Sequence, residues 1–220
     1  ERLLVDDVDV VICATISPTS IAPSMACQVL RRLARDNAGS LPQAYDIHAA
    51  CSGYLYALQA GYDYLQSTPH GRVLVVTAEV LSPLLDPSDF DTIVLFGDAA
   101  SATILYGESH FEQASGRLFR PDLFAKGDVE TALSVPLLNA GYIQMKGRKV
   151  FSEAVRAMVS SLNRVCQREG LGVGDLHLVV PHQANQRIID AIQSRMATTV
   201  FSNIRRHGNT SSTSIPLCLA

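Results

Sequence analysis

Residues 8–15, Val8-Asp9-Val10-Val11-Ile12-Cys13-Ala14-Thr15, are β-branched and almost wholly apolar, which predicts a strand covered on both faces. After Ser17-Pro18 the pattern changes. Over 23–36, Met25, Val29, Leu30 and Leu33 recur at helical spacing with Arg31, Arg32 and Arg35 on the other side, predicting a helix that closes before 37–39. A second strand ends at Ile47. A helix that opens at Cys51 follows, with Leu55, Leu58 and Tyr62 turned inward. Three further apolar runs, 73–78, 92–96 and 102–106, read as strands, with Gly97-Asp98 turning between the last two.

The periodicity then weakens. Residues 108–139 carry several glycines and prolines and mark a boundary or an insertion. Residues 150–169 form an amphipathic helix, with Val155, Met158, Val159 and Leu162 in register and Gly170 as its stop. The remainder repeats the opening order: strand 176–180, helix 185–195, strand 199–204, then a helix from about Thr210. This predicts an α/β chain of two halves, 1–107 and 108–220. In that plan Cys51 and Asn209 lie at equivalent strand-to-helix junctions, and both face one cleft together with the strand end at His182.

A chain of 220 residues that is 47% hydrophobic can bury a substantial core. A net charge of -3 excludes a global attraction to nucleic acid or to an anionic membrane, so any charged partner must meet a local patch. The apolar runs are far shorter than the roughly 20 residues of a membrane helix. The five cysteines include no C-x-x-C pair, which argues against a disulfide framework or a zinc site and for a reducing cytoplasm. Cys13 in its strand and Cys27, Cys166 and Cys218 in helical patterns read as small core residues. The chain opens at Glu1 without a signal-peptide pattern and closes at Ala220 inside a helical one, so both ends read as cut from a longer protein.

Cys51 differs from the other four. In Asp46-Ile47-His48-Ala49-Ala50-Cys51-Ser52-Gly53 an apolar strand passes through small residues straight into a helix. A thiol there faces unpaired backbone N–H groups and the positive end of the helix dipole, which favours thiolate. Two polar clusters join it as candidates for one active site: His182 in Pro181-His182-Gln183-Ala184-Asn185, and Asn209 in Arg206-His207-Gly208-Asn209-Thr210-Ser211. Each also has a plainer reading. Cys51 could be a small residue at a tight junction, His182 a hydrogen-bonded strand end, and Gly208-Asn209 a turn with a helix cap. A Cys, His, Asn order also occurs in papain-like proteases, whose His follows the Cys by roughly 130 to 150 residues. Their C-G-[SA]-C-[WY] signature is missing here: the chain reads A-C-S-G and has no tryptophan.

The stretch from Asp46 to Gly53 resembles the nucleophile segment of the β-ketoacyl-acyl carrier protein synthase III family of thiolase-fold enzymes. Asp86-Pro87-Ser88-Asp89 with Leu95-Phe96-Gly97-Asp98, Pro181-His182-Gln183-Ala184-Asn185-Gln186-Arg187-Ile188, and His207-Gly208-Asn209-Thr210-Ser211 resemble three further motifs of that family, in order. Phe90-Asp91 replaces a common Arg-Gly pair, and Ala99 replaces a glycine.

The resemblance implies a duplicated, five-layered α/β/α/β/α fold, normally homodimeric, here without the family's first segment and its last glycine-rich strand. No metal and no resident cofactor are expected. The resemblance further implies that Cys51 takes an acyl group from an acyl-CoA or acyl-carrier-protein donor. His182 and Asn209 would then hold the carbonyl of a malonyl-carrier-protein thioester as CO₂ leaves.

Ala22, Phe151 and Asn185 are expected at the substrate, Ala22 leaving room for acyl chains longer than acetyl. Arg148, Lys149 and Arg187, with Lys146, are expected to form a basic patch for an acidic carrier protein, or simply a solvated face. The alternative activity is transfer of the Cys51 acyl group to a hydroxyl or amine. A non-catalytic partner subunit is disfavoured by the intact Cys51, His182 and Asn209.

Overall fold

The computed structural model describes residues 7–33, 41–127, 131–137 and 140–220. Its centre is a four-stranded sheet of order β2-β1-β3-β4, with β1 at Val10–Ala14, β2 at Gln43–Ile47, β3 at Arg72–Glu79 and β4 at Ala99–Tyr106. β1 pairs in parallel with β2 and β3, and β4 closes the edge antiparallel to β3. Every side chain of β1 is buried, as its unbroken apolar run predicts. Val10, Ile12 and Ala14 face helix α2, Gly53–Ser67, while Val11 and Cys13 face helix α1, Met25–Leu33. Alternation along the strand thus supplies two cores, and each fully buried Val or Ile contributes about 1.5–3 kcal/mol.

The helix faces differ from expectation in detail. On α1, Met25, Val29 and Leu30 pack inward around the buried Ala26, but Leu33 is exposed; residues 34–36 of the expected helix lie outside the described residues. On α2 the buried line is Tyr54, Ala57, Leu58, Gly61 and Leu65, while Leu55 is partly buried and Tyr62 stays at the margin. Leu58 and Leu55 thus meet the core as expected, and the stripe departs from the expected face only at Tyr62, where Gly61 turns towards β3 and β4 instead.

The expected strand 92–96 is replaced by a short helix, α3, Phe90–Ile93, leaving only Phe96 to make a parallel bridge with Asn209. Between β3 and α3, Asp98 holds the chain by accepting hydrogen bonds from the backbone N–H groups of Leu81 (2.7 Å) and Ser82 (2.9 Å) and from the Ser82 hydroxyl (2.6 Å). The region after β4 carries a small ribbon, β5 at Leu133–Ser134 and β6 at Gln144–Met145, next to an apolar cluster of Leu81, Leu84, Leu85 and Ile143.

The remaining described residues are built mainly from helices. α4, Gly147–Arg168, packs Val155 against Ile188, Ile189 and Ile192 of α5, Gln186–Gln193. The expected strands 176–180 and 199–204 are reduced to one parallel bridge, Val179 to Val200, and the second gives way to helix α6, Ile204–His207. From Thr210 a 3-10 turn, Ser211–Thr213, precedes the short helix α7, Pro216–Leu219. Cys13 and Cys166 are buried as expected, but Cys27 is exposed. Among the described residues no helix is long and apolar enough to cross a membrane.

Candidate active site

Cys51 stands at the C-terminal edge of the sheet. β2 ends at Ile47, and a 3-10 turn, Ala50–Ser52, runs directly into α2. Ala50, a residue with a Cβ, adopts φ 46° in order to make this entry. Asp46 belongs to the scaffold: its carboxylate accepts from the N–H groups of Met25 (2.7 Å) and Ala26 (2.8 Å) and so caps α1. Gly53 has a steric reason to be glycine, since a Cβ there would lie 3.1 Å from both the Ala14 and the Ser212 Cβ atoms. The Cys51 turn is thereby seated directly on the Ser211–Thr213 turn.

Asn209 reaches the same seam from the second half. Its N–H donates to the Leu95 carbonyl (2.7 Å), and its own carbonyl accepts from the Gly97 N–H (3.0 Å). A Cβ on Gly97 would come within 2.3 Å of the His207 carbonyl oxygen, so this strand-to-strand seam depends on glycine. The Asn209 Oδ1 accepts from the Ser211 N–H (3.0 Å), which leaves the side-chain NH₂ free to donate elsewhere.

The residue that sequence reasoning missed is Glu79, the last residue of β3 and only 1% exposed. Its Oε2 accepts from the Thr15 hydroxyl (3.4 Å), the Ile16 N–H (3.1 Å) and the Ser17 hydroxyl (2.9 Å). Its Oε1 accepts from the Ser212 hydroxyl (2.6 Å) and N–H (3.4 Å). One buried carboxylate therefore ties the ends of β1 and β3 to the turn after Asn209, its charge met by several donors. An acidic residue ending the apolar run 73–78 was the available signal.

The helix start favours thiolate at Cys51, but the buried setting works against it. Burial pushes the thiol up to about 11, and the nearby Glu79 carboxylate adds to the rise; a side-chain interaction with Ser211 and the local backbone N–H oppose it only in part. The Cys51 sulfur is thus a protonated thiol at neutral pH. His182 is displaced in the other direction, held down to about 4 by burial, and its ring is neutral at physiological pH. Its Nδ1 is buried without a hydrogen-bond partner. Next to it the wholly buried Gln183 accepts from the Asn203 N–H (3.0 Å) and donates to the Pro181 carbonyl (2.9 Å), anchoring this segment to the one leading into α6. No hydrogen bond joins His182 to Cys51 or Asn209 among the described residues.

The other expected site residues are scattered. Ala22 is exposed on the loop before α1, beside Ile21 at 86% exposure. Asn185 is the N-cap of α5, its Oδ1 accepting from the Ile188 N–H (2.9 Å). Phe151 lines an open crevice of about 700 Å³ along α4 with Val155, Arg156, Val159 and Arg195, which includes none of Cys51, His182 and Asn209. Arg148 and Arg187 are exposed at the starts of α4 and α5, and Lys149 is half-buried near Glu153.

Residues 45–127 match the family described as 3-Oxoacyl-[acyl-carrier-protein (ACP)] synthase III, and residues 166–220 match the C-terminal part of the same family. The Beta-ketoacyl-[acyl-carrier-protein] synthase III of Aquifex aeolicus (strain VF5) is 39% identical over 217 residues, covering 97% of this chain and 67% of the relative. Among solved structures, 3-oxoacyl-[acyl-carrier-protein] synthase III from Aquifex aeolicus VF5 superposes with a TM-score of 0.85 at 37% identity, covering 99% of this chain and 68% of that one. The priming β-ketosynthase from the R1128 polyketide biosynthetic pathway does so with a TM-score of 0.78 at 29% identity, covering 99% and 66%.

Proposed function

The chain belongs to the 3-oxoacyl-[acyl-carrier-protein] synthase III family of thiolase-like condensing enzymes, and from that membership we propose that it joins a Cys51-bound acyl group to a malonyl thioester, initiating fatty-acid or polyketide chains. The observation that carries the reading is the seating of the Cys51 turn on the turn that follows Asn209, with His182 neutral in the same half as Asn209.

In the first step the Cys51 sulfur attacks the donor's thioester carbonyl. The donor thiol leaves with the proton that Cys51 gives up, and the product is an acyl-enzyme. In the second, the malonyl C–C bond to the carboxylate breaks, CO₂ departs, and the electron pair passes into an enolate. A neutral imidazole N–H and the Asn209 NH₂ suit that enolate oxygen, because both donate hydrogen bonds without needing a prior charge. The enolate carbon then attacks the acyl-Cys51 carbonyl, the new C–C bond forms, and Cys51 leaves as thiolate and is reprotonated. The raised thiol confines ionisation to the moment of reaction.

As an enzyme of this kind the chain is an acyltransferase. Its proposed donors are acyl-CoA or an acyl carrier protein, and Arg148, Lys149 and Arg187 are proposed to meet the acidic carrier. The proposed assembly is a homodimer in which the exposed Ala22 faces the partner's acyl pocket.

The test is intact-mass analysis of the protein with a panel of acyl-CoA and acyl-carrier thioesters, together with CO₂ release from malonyl carrier protein. Acylation that disappears in Cys51→Ala and CO₂ release that requires the acyl-enzyme are expected. Acylation of Cys51 with no CO₂ from any malonyl thioester, and esterification of a small acceptor instead, would replace condensation by simple acyl transfer.

A further inference from the structure

We propose that Ser211 is a fourth residue of this site, its hydroxyl donating a hydrogen bond to the Cys51 sulfur as the thiolate forms, with Glu79 and Ser212 as the anchor that holds it there. The inference rests on the reading of Cys51 as the nucleophile. Three observations carry it.

The first is strain. Ser211 adopts φ 50°, the left-handed region that costs a residue with a Cβ and persists only where the surroundings demand it. The surroundings are on either side: Asn209 Oδ1 takes the Ser211 N–H at 3.0 Å, and the next residue is tied to Glu79 Oε1 at 2.6 Å. The second is an unused hydroxyl. Ser211 is 2% exposed, yet its Oγ makes no well-formed hydrogen bond to the protein. Leaving a buried hydroxyl unsatisfied is costly, and each such group calls for a reason, a catalytic role among them. The third is position: the Ser211–Thr213 turn packs on the Cys51 turn, which sets the Ser211 hydroxyl beside the Cys51 thiol.

The charged surroundings do not supply that help. Glu79, at the end of β3, opposes ionisation of the thiol. Asp46, on the strand leading into Cys51, is occupied by the α1 backbone, and His48 is exposed. Tyr54 in the first turn of α2 is committed to Thr103 at 3.2 Å, and the turn Ser211–Thr213 has no ionisable side chain. Ser211 is therefore placed to favour the thiolate both when Cys51 attacks the donor and when it leaves the condensed product. No proton moves from Ser211, which donates and keeps its hydrogen.

The experiment is the pH profile of Cys51 alkylation by iodoacetamide, read on the Cys51 peptide by mass spectrometry, in the unaltered protein, Ser211→Ala and Ser211→Gly. Glycine accepts a positive φ without strain, so Ser211→Gly removes the hydroxyl while keeping the turn. Loss of a hydrogen bond to an anion predicts roughly tenfold slower alkylation at fixed pH in both variants, with the midpoint moved up by about one unit. A merely structural role gives the opposite sign, because a loosened turn exposes the thiol and brings its midpoint down. An unchanged or lowered midpoint in Ser211→Gly overturns the proposal. The nucleophile reading is judged separately, by whether Cys51→Ala still becomes acylated by butyryl-CoA or octanoyl-CoA.

Discussion

The turn Ala50–Ser52 and the turn Ser211–Thr213 begin alike. Each opens on a non-glycine residue with positive φ, 46° at Ala50 and 50° at Ser211, and each leads towards a helix, α2 and α7. Matched from those residues, Cys51 corresponds to Ser212, and Asn209 stands two residues before the second turn. The loads they carry differ. Among the described residues no hydrogen bond joins the Cys51 side chain to a neighbouring strand, whereas Ser212 holds Glu79 and lies 3.2 Å from the Ala14 carbonyl. On the proposed role of Cys51, one copy of the local path is released for chemistry, and the other is committed to holding the first in place. Two similar backbones packed face to face can thus carry different loads, one of them the support of the other.

Asn209→Asp should break this division most strongly on the chemical side. A carboxylate in place of the amide withdraws a donor and repels a developing enolate, so CO₂ release from malonyl carrier protein should fall about 100-fold or more. Acylation of Cys51, followed by intact mass, should remain. Equal loss of both steps would mean that Asn209 supports the Cys51 turn and does not serve the enolate.

The matched pair Cys51→Ala and Ser212→Ala sharpens the contrast through stability. Ser212→Ala leaves a buried carboxylate oxygen without its closest donor and should cost about 1–3 kcal/mol in chemical denaturation. Cys51→Ala should abolish acylation yet shift stability by less than about 1 kcal/mol, because it removes a partly buried thiol whose proposed partner, the Ser211 hydroxyl, makes no well-formed hydrogen bond in the resting protein. Similar losses in the two variants would remove the distinction between a free turn and a committed one.

The smallest effect is expected from pH. Burial holds His182 at about 4, against an ordinary value of 6.5. As pH falls from about 6.5 towards 4 the unfolded chain takes up a proton that the native ring refuses, so stability rises with pH across this window and is lost on acidification. His182→Gln should make that slope shallower when denaturation midpoints are followed between pH 4 and 7. The change is modest because His182 keeps some exposed surface. An unaltered slope would mean that the ring is protonated as readily as in the unfolded chain.

The motifs around Cys51, His182 and Asn209 determined the family, because each packs unusual residue types into a short span whose spacing is local. The doubly covered β1, the two helices that sandwich it and the long α4 were legible for the same reason: period and burial are written in neighbouring residues. What depended on distant partners was not. The strand expected at 92–96 became α3 and a single bridge because its hydrogen-bonding partner is Asn209, more than a hundred residues away in the chain. Glu79 looked like an ordinary strand end until Ser212 met it across the seam. The tendency of the helix start to favour thiolate at Cys51 is opposed by burial and by the Glu79 charge. A helix start can be read from its own residues, but desolvation and a carboxylate on another strand exist only after folding, and these set the ionisation of the thiol.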